Sequence, residues 1–105
     1  METSGSGKIK IEIIYEGDHC IPCVYMAKVV EAVAKKWGEG LQITKVVLKE
    51  KNGARRFYEL SSSIERAAPI PSIFVNGQLA FEHTPSEEEL ETYLKNIIED
   101  QSQDQ

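Results

Sequence analysis

The chain has 105 residues, 41% of them hydrophobic, which suits one compact domain with a single core. Its 12 Lys and Arg against 17 Asp and Glu give a formal net charge of −5, which argues against binding to nucleic acid or to an anionic membrane surface. Its two cysteines, Cys20 and Cys23, are too few for the multi-bridge framework of a small secreted domain.

Both ends of the chain are polar, and we expect them to lie outside the folded domain. Residues 1–7 are small and polar, so they predict a flexible segment and not a secretory signal. Residues 100–105 carry no apolar side chain and predict a disordered tail. No apolar run approaches the length of about eighteen residues that a membrane span needs. We therefore expect one domain at residues 8–99, a monomer and a cytoplasmic location.

The first half of the domain predicts a strand, a helix and a second strand. Residues 8–15 first alternate polar and apolar side chains and then become apolar throughout, which is typical of a strand buried on both faces in its second half. From Pro22 the apolar spacing becomes helical, and the glycines at 38 and 40 end this helix. Residues 41–49 are rich in β-branched side chains and predict the second strand. The buried stripe of the helix is expected to contain Met26, Val30, Val33 and Trp37.

A shorter second helix is predicted after a polar turn at residues 50–53. Its apolar side chains, Phe57, Leu60 and Ile64, recur at helical spacing. Three consecutive serines, residues 61–63, are expected to interrupt it. A Pro-Ile-Pro sequence then stops any helix, because proline disfavours helical geometry in the residue before it.

Two short strands and a final helix complete the chain. Residues 72–75 and 79–82 are joined through Asn76-Gly77, a dipeptide typical of a two-residue hairpin turn. The element order is thus β-α-β-α-β-β-α, with the first two strands parallel and the last two antiparallel. This order predicts an α/β fold with a mixed four-stranded sheet flanked by three helices.

The final helix is predicted to begin at Thr84. Thr84 would be its N-cap, Pro85 would occupy its first position, and Glu87 would close a capping box. The acidic side chains of the first turn suit the positive end of the helix dipole. Its buried stripe is expected to contain Leu90, Leu94, Ile97 and Ile98.

The sequence Cys20-Ile21-Pro22-Cys23 lies where the first strand gives way to the first helix. Unpaired backbone N–H groups and the helix dipole favour a thiolate there, and the thiolate is the attacking species in disulfide exchange. Cys20 precedes the helix, so we expect it to be the exposed nucleophile. Cys23 is expected to be shielded and to resolve the mixed disulfide by attacking Cys20. Pro22 would stiffen the turn between the two sulfurs.

Two other interpretations of the cysteine pair stay open at this point. Both cysteines could be buried core residues, since free cysteine is commonly buried. With His19 beside Cys20 and His83 after the last strand, a Cys2His2 zinc site can also be written, although the usual finger spacing is absent. His19 would otherwise stabilise the Cys20 thiolate when protonated, or face water. Arg55 and Arg56 are expected on a solvated face, given the acidic charge balance.

Taken together, these features resemble the thioredoxin superfamily over residues 8–99. The resemblance rests on the strand, the Cys20-Ile21-Pro22-Cys23 motif that opens a helix, and Ile70-Pro71 before the strand at 72–75 with Asn76-Gly77 after it. It implies a thioredoxin-like fold and thiol–disulfide exchange on protein or small-molecule disulfides through a reversible Cys20–Cys23 disulfide. It also implies that the Ile70–Pro71 bond is cis and faces the disulfide, and that the Ile70 backbone pairs with an extended substrate segment.

Three positions depart from the thioredoxin pattern. His19 and Ile21 stand where thioredoxins have a tryptophan before and a glycine after the first cysteine, and we expect both to contact substrate. Ile14 stands where thioredoxins bury an aspartate that accepts the proton of the resolving cysteine. Without that acid, the proton would have to pass to water or to a group such as Glu16 or Asp18.

The function predicted from the sequence is that of a small, divergent thioredoxin/glutaredoxin-like oxidoreductase without a bound cofactor. Phe81-Glu82-His83-Thr84 replaces the Gly-Gly and acidic pair of the glutaredoxin glutathione site, so a glutathione cofactor is not predicted. The expected partners are a disulfide-containing protein or a small thiol as substrate, and a dedicated reductase. The alternative is a non-enzymatic protein of the same fold that uses the C-x-x-C motif for a metal or a partner protein, and the apolar Ile14 favours it.

Overall fold

The computed structural model describes residues 9–103, which contain four strands and three α-helices in the predicted order. The elements are β1 (Ile9–Tyr15), α1 (Ile21–Trp37), β2 (Leu41–Val47), α2 (Lys51–Ile64), β3 (Ser72–Val75), β4 (Gln78–Phe81) and α3 (Glu87–Gln103). The segment expected to be flexible, residues 1–7, lies outside the described residues. Helix α3 ends at Gln103, beyond the domain boundary expected at residue 99, so residues 100–103 are helical. No helix among residues 9–103 is long and apolar enough to cross a bilayer.

The four strands form one mixed sheet in the order β2-β1-β3-β4. Strand β1 runs parallel to β2, and its last residue, Tyr15, lies opposite Val47. Strand β3 runs antiparallel to β1 and begins with Ser72 opposite Ile14. The predicted α/β fold and mixed sheet are therefore confirmed. The register also brings the end of β1, the end of β2 and the start of β3 to the same edge of the sheet.

Strands β3 and β4 form the predicted hairpin. Its two turn residues both have positive φ, 52° at Asn76 and 83° at Gly77, which is the geometry of a tight turn that matches the twist of the strands. Asn76 also joins the hairpin to β1: its side-chain oxygen accepts from the Lys10 N–H at 3.0 Å, and its own N–H donates to the Lys10 carbonyl at 2.8 Å. Because these two residues complete the turn, β4 begins at Gln78, one residue earlier than expected.

Strand β1 is buried on both faces, and a separate apolar cluster covers each face. Ile11, Ile13 and Tyr15 pack with Cys23 and with residues of α1 and α3. Ile14 belongs to the other cluster, which contains Val46, Leu60, Ala68 and Phe74 and which α2 covers. Alternate side chains of a strand point to opposite faces. Ile14 and Cys23 therefore lie on opposite sides of β1.

The first turn of α2 corrects the turn expected at residues 50–53. The helix begins at Lys51, and Gly53 lies inside it. A Cβ atom on Gly53 would collide with the carbonyl oxygen of Val47, so this glycine permits the helix to approach the end of β2. Glycine at this position therefore reflects close packing between two elements and not a turn.

The predicted interruption of α2 at its serines is also wrong, because the helix is continuous to Ile64. The Ser63 hydroxyl donates to the Leu60 carbonyl at 2.6 Å, a bond made within the helix. The Ser61 hydroxyl accepts from the Ala68 N–H at 2.9 Å and so ties the segment after the helix to its last turn. Hydrogen bonds of these side chains thus support the helix end instead of breaking it.

The start of α3 lies two residues later than predicted. Ser86 and Glu89 form the capping box: the Glu89 N–H donates to the Ser86 hydroxyl at 3.0 Å, and the Ser86 N–H donates to Glu89 Oε1 at 2.9 Å. Pro85 and Leu90, which flank this box at the two positions of a hydrophobic staple, are both buried. The expected N-cap at Thr84 with Glu87 is therefore wrong. Ile98, expected in the buried stripe, is 42% exposed.

Arg56 does not lie on a solvated face, as expected from the sequence, but anchors α2 to β1. Its guanidinium donates to both carboxylate oxygens of Glu12, at 2.7 and 2.9 Å, and to Glu59 at 3.1 Å. Glu12 is only 2% exposed, so this two-pronged ion pair supplies the partner that its buried carboxylate needs. The hydrogen bonds to Glu12 raise the pKa of Arg56 above its already high value.

We predict that Arg56→Ala lowers the free energy of unfolding by about 2–3 kcal/mol, because it leaves the buried Glu12 carboxylate without a partner. Partial solvent exposure of the Arg56 side chain, 34%, keeps the loss below that of a fully buried pair. Denaturant unfolding of the oxidised protein measures the change. Arg55→Ala is the matched control, since Arg55 is exposed and adjacent, and it should change stability by less than about 0.5 kcal/mol. Equal losses in the two variants would contradict this role for Arg56.

Candidate active site

Cys20 and Cys23 lie at the edge of the sheet where β1 ends and α1 begins. They form a disulfide, and their Cα atoms are 5.2 Å apart. Cys23 is fully buried in the cluster beneath α1, whereas Cys20 is partly exposed and packs against that cluster. One sulfur of the pair is thus open to another molecule, and the other is enclosed by the fold.

Cys20 is the N-cap of α1. Its Sγ accepts a hydrogen bond from the Cys23 N–H at 3.3 Å, and its carbonyl accepts from the Val24 N–H at 3.0 Å. The helix begins at Ile21, one residue before the predicted start, and Pro22 occupies the first turn, where its missing N–H leaves no bond unmade. The first-turn amide and the positive end of the helix dipole therefore point at the Cys20 sulfur, where they would stabilise a negative charge.

A single peptide unit links the buried sulfur to the end of β2. The Glu16 N–H lies 3.5 Å from the Cys23 Sγ and donates to it. The carbonyl of the same peptide, that of Tyr15, accepts from the Leu48 N–H at 3.1 Å. The carbonyl of this peptide is thus held by the residue that follows β2, and its N–H faces the Cys23 sulfur.

His19 and Ile21, predicted to contact substrate, are the neighbours of Cys20 and are both exposed. The His19 Nε2 lies 3.6 Å from a carboxylate oxygen of Glu16, and the two side chains are 57% and 50% exposed. A pair this open to water contributes little even when His19 is protonated. Ile21 is 73% exposed, an unusual degree for a large apolar side chain.

The Ile70–Pro71 peptide bond is cis. Since Ser72 pairs with Ile14 in antiparallel register, the two residues before it lie at the end of β1 where the cysteine loop begins. The Ile70 side chain is 44% exposed. The predicted proline and its neighbour are thus placed at the same end of the sheet as the cysteine pair.

Tyr25 was not identified as a site residue from the sequence. It is 62% exposed and lies four residues after Ile21 on α1, so the two side chains share a face of the helix. The helical spacing from Ile21 was the available signal, but apolar spacing alone does not distinguish an exposed face from a buried one. Ile21 and Tyr25 give α1 an exposed apolar face next to the partly exposed cysteine.

The acidic groups near the cysteine loop already have partners. The Tyr15 hydroxyl donates to the Asp18 Oδ1 at 2.6 Å, and Tyr15 itself is only 4% exposed. This hydrogen bond is the main cause that raises the pKa of Tyr15 above its usual value. The Glu16 carboxylate lies beside His19, and Ile14 lies on the other side of β1 from Cys23. Ile14, Glu16 and Asp18 therefore provide no buried carboxylate in the place that an aspartate has in thioredoxins.

Within residues 9–103, no group of three or more His, Cys, Asp and Glu side chains is arranged to hold a metal ion. The Cys2His2 set that the sequence allowed, with His19 and His83, is therefore not assembled in this part of the chain. His83 instead follows β4, where it lines a cavity of about 510 Å³ with Glu82 and Glu89. The Cys20–Cys23 pair is joined as a disulfide, which also corrects the interpretation of two free core cysteines.

Solved structures with the same fold are thioredoxins and thioredoxin-like proteins. Thioredoxin-2 of the malaria parasite, described as a component of its protein secretion machinery, is 16% identical, with a TM-score of 0.63 over 85% of this chain and 82% of that chain. The germline-specific thioredoxin Deadhead of Drosophila melanogaster is 18% identical, with a TM-score of 0.59 over 88% and 83% of the two chains. An uncharacterised thioredoxin-like protein from Porphyromonas gingivalis is 22% identical, with a TM-score of 0.54 over 90% and 78%.

No family model and no curated protein matches the sequence. Identities of 16–22% establish a shared fold and leave activity to the site itself. The chain has the thioredoxin fold, as the sequence predicted, and the C-x-x-C pair occupies the start of its first helix.

We predict that, after reduction, an alkylating reagent modifies Cys20 at least about tenfold faster than Cys23, because only Cys20 is both exposed and at the helix N-cap. Mass spectrometry of peptides after timed alkylation measures both rates in one sample. In denaturant the two rates should become equal, which is the matched control. Equal rates in the folded protein would show that the two sulfurs are not functionally distinct.

Proposed function

We propose that this chain of thioredoxin fold is a thiol–disulfide oxidoreductase that acts on protein or small-molecule disulfides through Cys20 and Cys23. The observation that carries the proposal is the position of Cys20, a partly exposed residue that caps α1 and whose sulfur accepts the Cys23 N–H at 3.3 Å. A sulfur in this position is stabilised as a thiolate and remains open to a substrate. The fold alone would not distinguish an enzyme from a binding protein.

The first step is attack of the Cys20 thiolate on one sulfur of a substrate disulfide. A bond forms between the Cys20 Sγ and that sulfur, the substrate S–S bond breaks, and its other sulfur leaves as a thiolate that takes a proton from water. The mixed disulfide holds the substrate at the helix N-terminus. Partial exposure of Cys20 makes this attack possible.

The second step is attack of the Cys23 thiolate on the Cys20 Sγ. The Cys20–Cys23 disulfide forms, the bond to the substrate breaks, and the second substrate sulfur leaves as a thiolate. The substrate has then gained two electrons and the enzyme has lost two. The Cα separation of 5.2 Å lies in the range that a disulfide requires, so no backbone rearrangement is needed.

Loss of the Cys23 proton needs another acceptor in this chain, because the aspartate that accepts it in the thioredoxin pattern is replaced by Ile14. Ile14 supplies no carboxylate, Asp18 accepts from Tyr15, and the Glu16 carboxylate lies beside the exposed His19. We propose that water at the partly exposed Cys20 accepts the proton and that the Glu16 N–H stabilises the resulting buried thiolate. The reverse reaction uses the same groups.

The surface around Cys20 supports an extended substrate segment with apolar side chains. Ile21 at the start of α1 and Ile70 before β3 are exposed apolar residues, and the exposed His19 would add a polar contact. The backbone of Ile70, beside the cis Pro71, would pair with the substrate as an added strand. Pro22 would hold the first turn of α1 in place during exchange.

Return to the dithiol requires an external reductant, which we propose to be a small thiol or a dedicated reductase. Its electrons enter by the same two steps in reverse, so no resident cofactor is part of the cycle. A cytoplasmic location and a monomer complete the proposal, since thiol pools maintain reduced cysteines in that compartment. The net charge of −5 argues against nucleic acid and anionic membranes as partners.

A non-enzymatic role for the C-x-x-C pair is the second candidate. The fully buried, apolar Ile14 favours it, because Ile14 supplies no carboxylate and lies on the other side of β1 from Cys23. In that case the reduced pair would hold a metal ion or a partner protein. Metal analysis of protein purified under reducing conditions distinguishes the two: stoichiometric zinc or copper that Cys20→Ser loses would overturn the redox function.

We predict that Cys23→Ser accumulates a mixed disulfide through Cys20 when it is mixed with an oxidised protein substrate, because the resolving sulfur is absent. A non-reducing gel and mass spectrometry of the adduct measure it. Cys20→Ser is the matched control and should yield little adduct, since its remaining sulfur is buried. No adduct in either variant, or an adduct through Cys23 alone, would contradict the proposed roles.

A further inference from the structure

We propose that Tyr15 is a positioning residue that tunes the redox pair. Its hydroxyl holds Asp18 and so fixes the loop between β1 and Cys20, which keeps the Glu16 N–H directed at the Cys23 sulfur. The proposal rests on the function proposed above, because it concerns the same cysteine pair. It adds a control of the Cys23 thiolate by a residue whose hydroxyl binds Asp18 and not a sulfur.

The hydrogen bond between Tyr15 and Asp18 is short and anchored in the sheet. The Tyr15 Oη donates to the Asp18 Oδ1 at 2.6 Å, across the two residues that separate them. Tyr15 is the last residue of β1 and only 4% exposed, so the surrounding core holds its ring in place. The Lys45 Nζ lies 4.7 Å from the centre of the same ring, a cation–π contact that adds to its anchoring.

The loop that Tyr15 holds has two further attachment points. The Cys20 N–H donates to the Gly17 carbonyl at 3.0 Å, which makes the chain turn directly before the nucleophile. At the start of the loop, the Tyr15–Glu16 peptide binds Leu48 through its carbonyl and Cys23 through its N–H. Asp18 lies inside the turn that the bond between Gly17 and Cys20 closes. Its bond to Tyr15 therefore ties this turn to the end of β1.

The Glu16 N–H matters most when Cys23 carries a negative charge. At 3.5 Å it makes a long contact with a disulfide sulfur, which is a weak acceptor. When two electrons from an external dithiol break the disulfide, Cys23 can become a thiolate, and a charged acceptor binds an N–H more strongly. Cys23 is fully buried, so this N–H replaces solvation that water cannot provide. A fixed loop therefore favours the reduced pair.

The charges of neighbouring side chains also shift the redox equilibrium, and their effect can be separated from that of the hydrogen bond between Tyr15 and Asp18. Asp18 is negative and would disfavour a nearby thiolate, so removing its charge alone shifts the pair toward the dithiol. Glu31, Lys28 and Lys45 line the same cavity of about 340 Å³ as Tyr15 and bring charges of both signs. Tyr15 itself stays neutral, since the hydrogen bond to Asp18 raises its pKa. Tyr15→Phe therefore removes the bond and no charge.

The test is the equilibrium constant of the Cys20–Cys23 couple in glutathione redox buffers, measured for the wild-type chain and for Tyr15→Phe. We expect Tyr15→Phe to shift the equilibrium toward the disulfide by about threefold to tenfold, equivalent to about 14–30 mV at about 30 mV per tenfold change. In a Cys20→Ser background, the same substitution should raise the pKa of Cys23. Tyr58→Phe is the matched control, because Tyr58 is 72% exposed on α2 and should leave both quantities unchanged.

A double-mutant cycle with Asp18 shows whether the effect passes through this bond. The Tyr15→Phe shift should disappear in an Asp18→Ala background, where the hydroxyl has no partner, and persist in Asp18→Asn, where an oxygen acceptor remains. Asp18 is exposed, so both variants preserve the core. An equilibrium constant unchanged by Tyr15→Phe, or a shift that persists in Asp18→Ala, would overturn the positioning role.

Failure of this inference and failure of the proposed function give different results. If the wild-type chain reduces no protein disulfide but Tyr15→Phe shifts the equilibrium constant as expected, the function fails and the positioning role holds. If the wild-type chain exchanges disulfides and Tyr15→Phe matches it in both quantities, the function holds and the inference fails.

Discussion

Burial of β1 on both faces is the constraint on which the rest of the structure depends. Its alternate side chains divide the core into two clusters, one beneath α1 and α3 and one beneath α2. A charged residue in such a strand needs a partner inside the fold, and Arg56 provides it for Glu12. The last residue of the strand, Tyr15, donates a hydrogen bond to Asp18 in the loop that leads to Cys20. The strand that organises the core therefore also positions the loop before the cysteine pair.

The site combines one open sulfur with one enclosed sulfur, and different parts of the fold serve each. The Cys20 sulfur lies at the start of α1, where the Cys23 N–H donates to it and would stabilise a thiolate. The Cys23 sulfur accepts from the Glu16 N–H, and the carbonyl of the same peptide binds Leu48, directly after β2. A thioredoxin-like pair can thus be supported by backbone N–H groups where an apolar residue occupies position 14.

Features that depend on neighbouring residues were predictable from the sequence, and features that depend on distant contacts were not. The strand–C-x-x-C–helix junction and the Asn76-Gly77 turn follow from local periodicity and local turn chemistry. Arg56 and Glu12 are 44 residues apart, so no local pattern indicates their pairing. The role of Gly53 depends on where β2 ends. The start of α3 was ambiguous because two overlapping Ser/Thr-x-x-Glu sequences, at Thr84 and Ser86, both fit a capping box.

The central claim is that Cys20 and Cys23 form a working redox couple and not a structural disulfide. The most direct test is the absolute reduction potential of the wild-type pair, measured by equilibration with thiol buffers of known potential. We predict reversible equilibration between about −120 and −270 mV, the range of dithiol oxidoreductases. A potential below about −300 mV, typical of structural disulfides that thiol pools do not reduce, would contradict it.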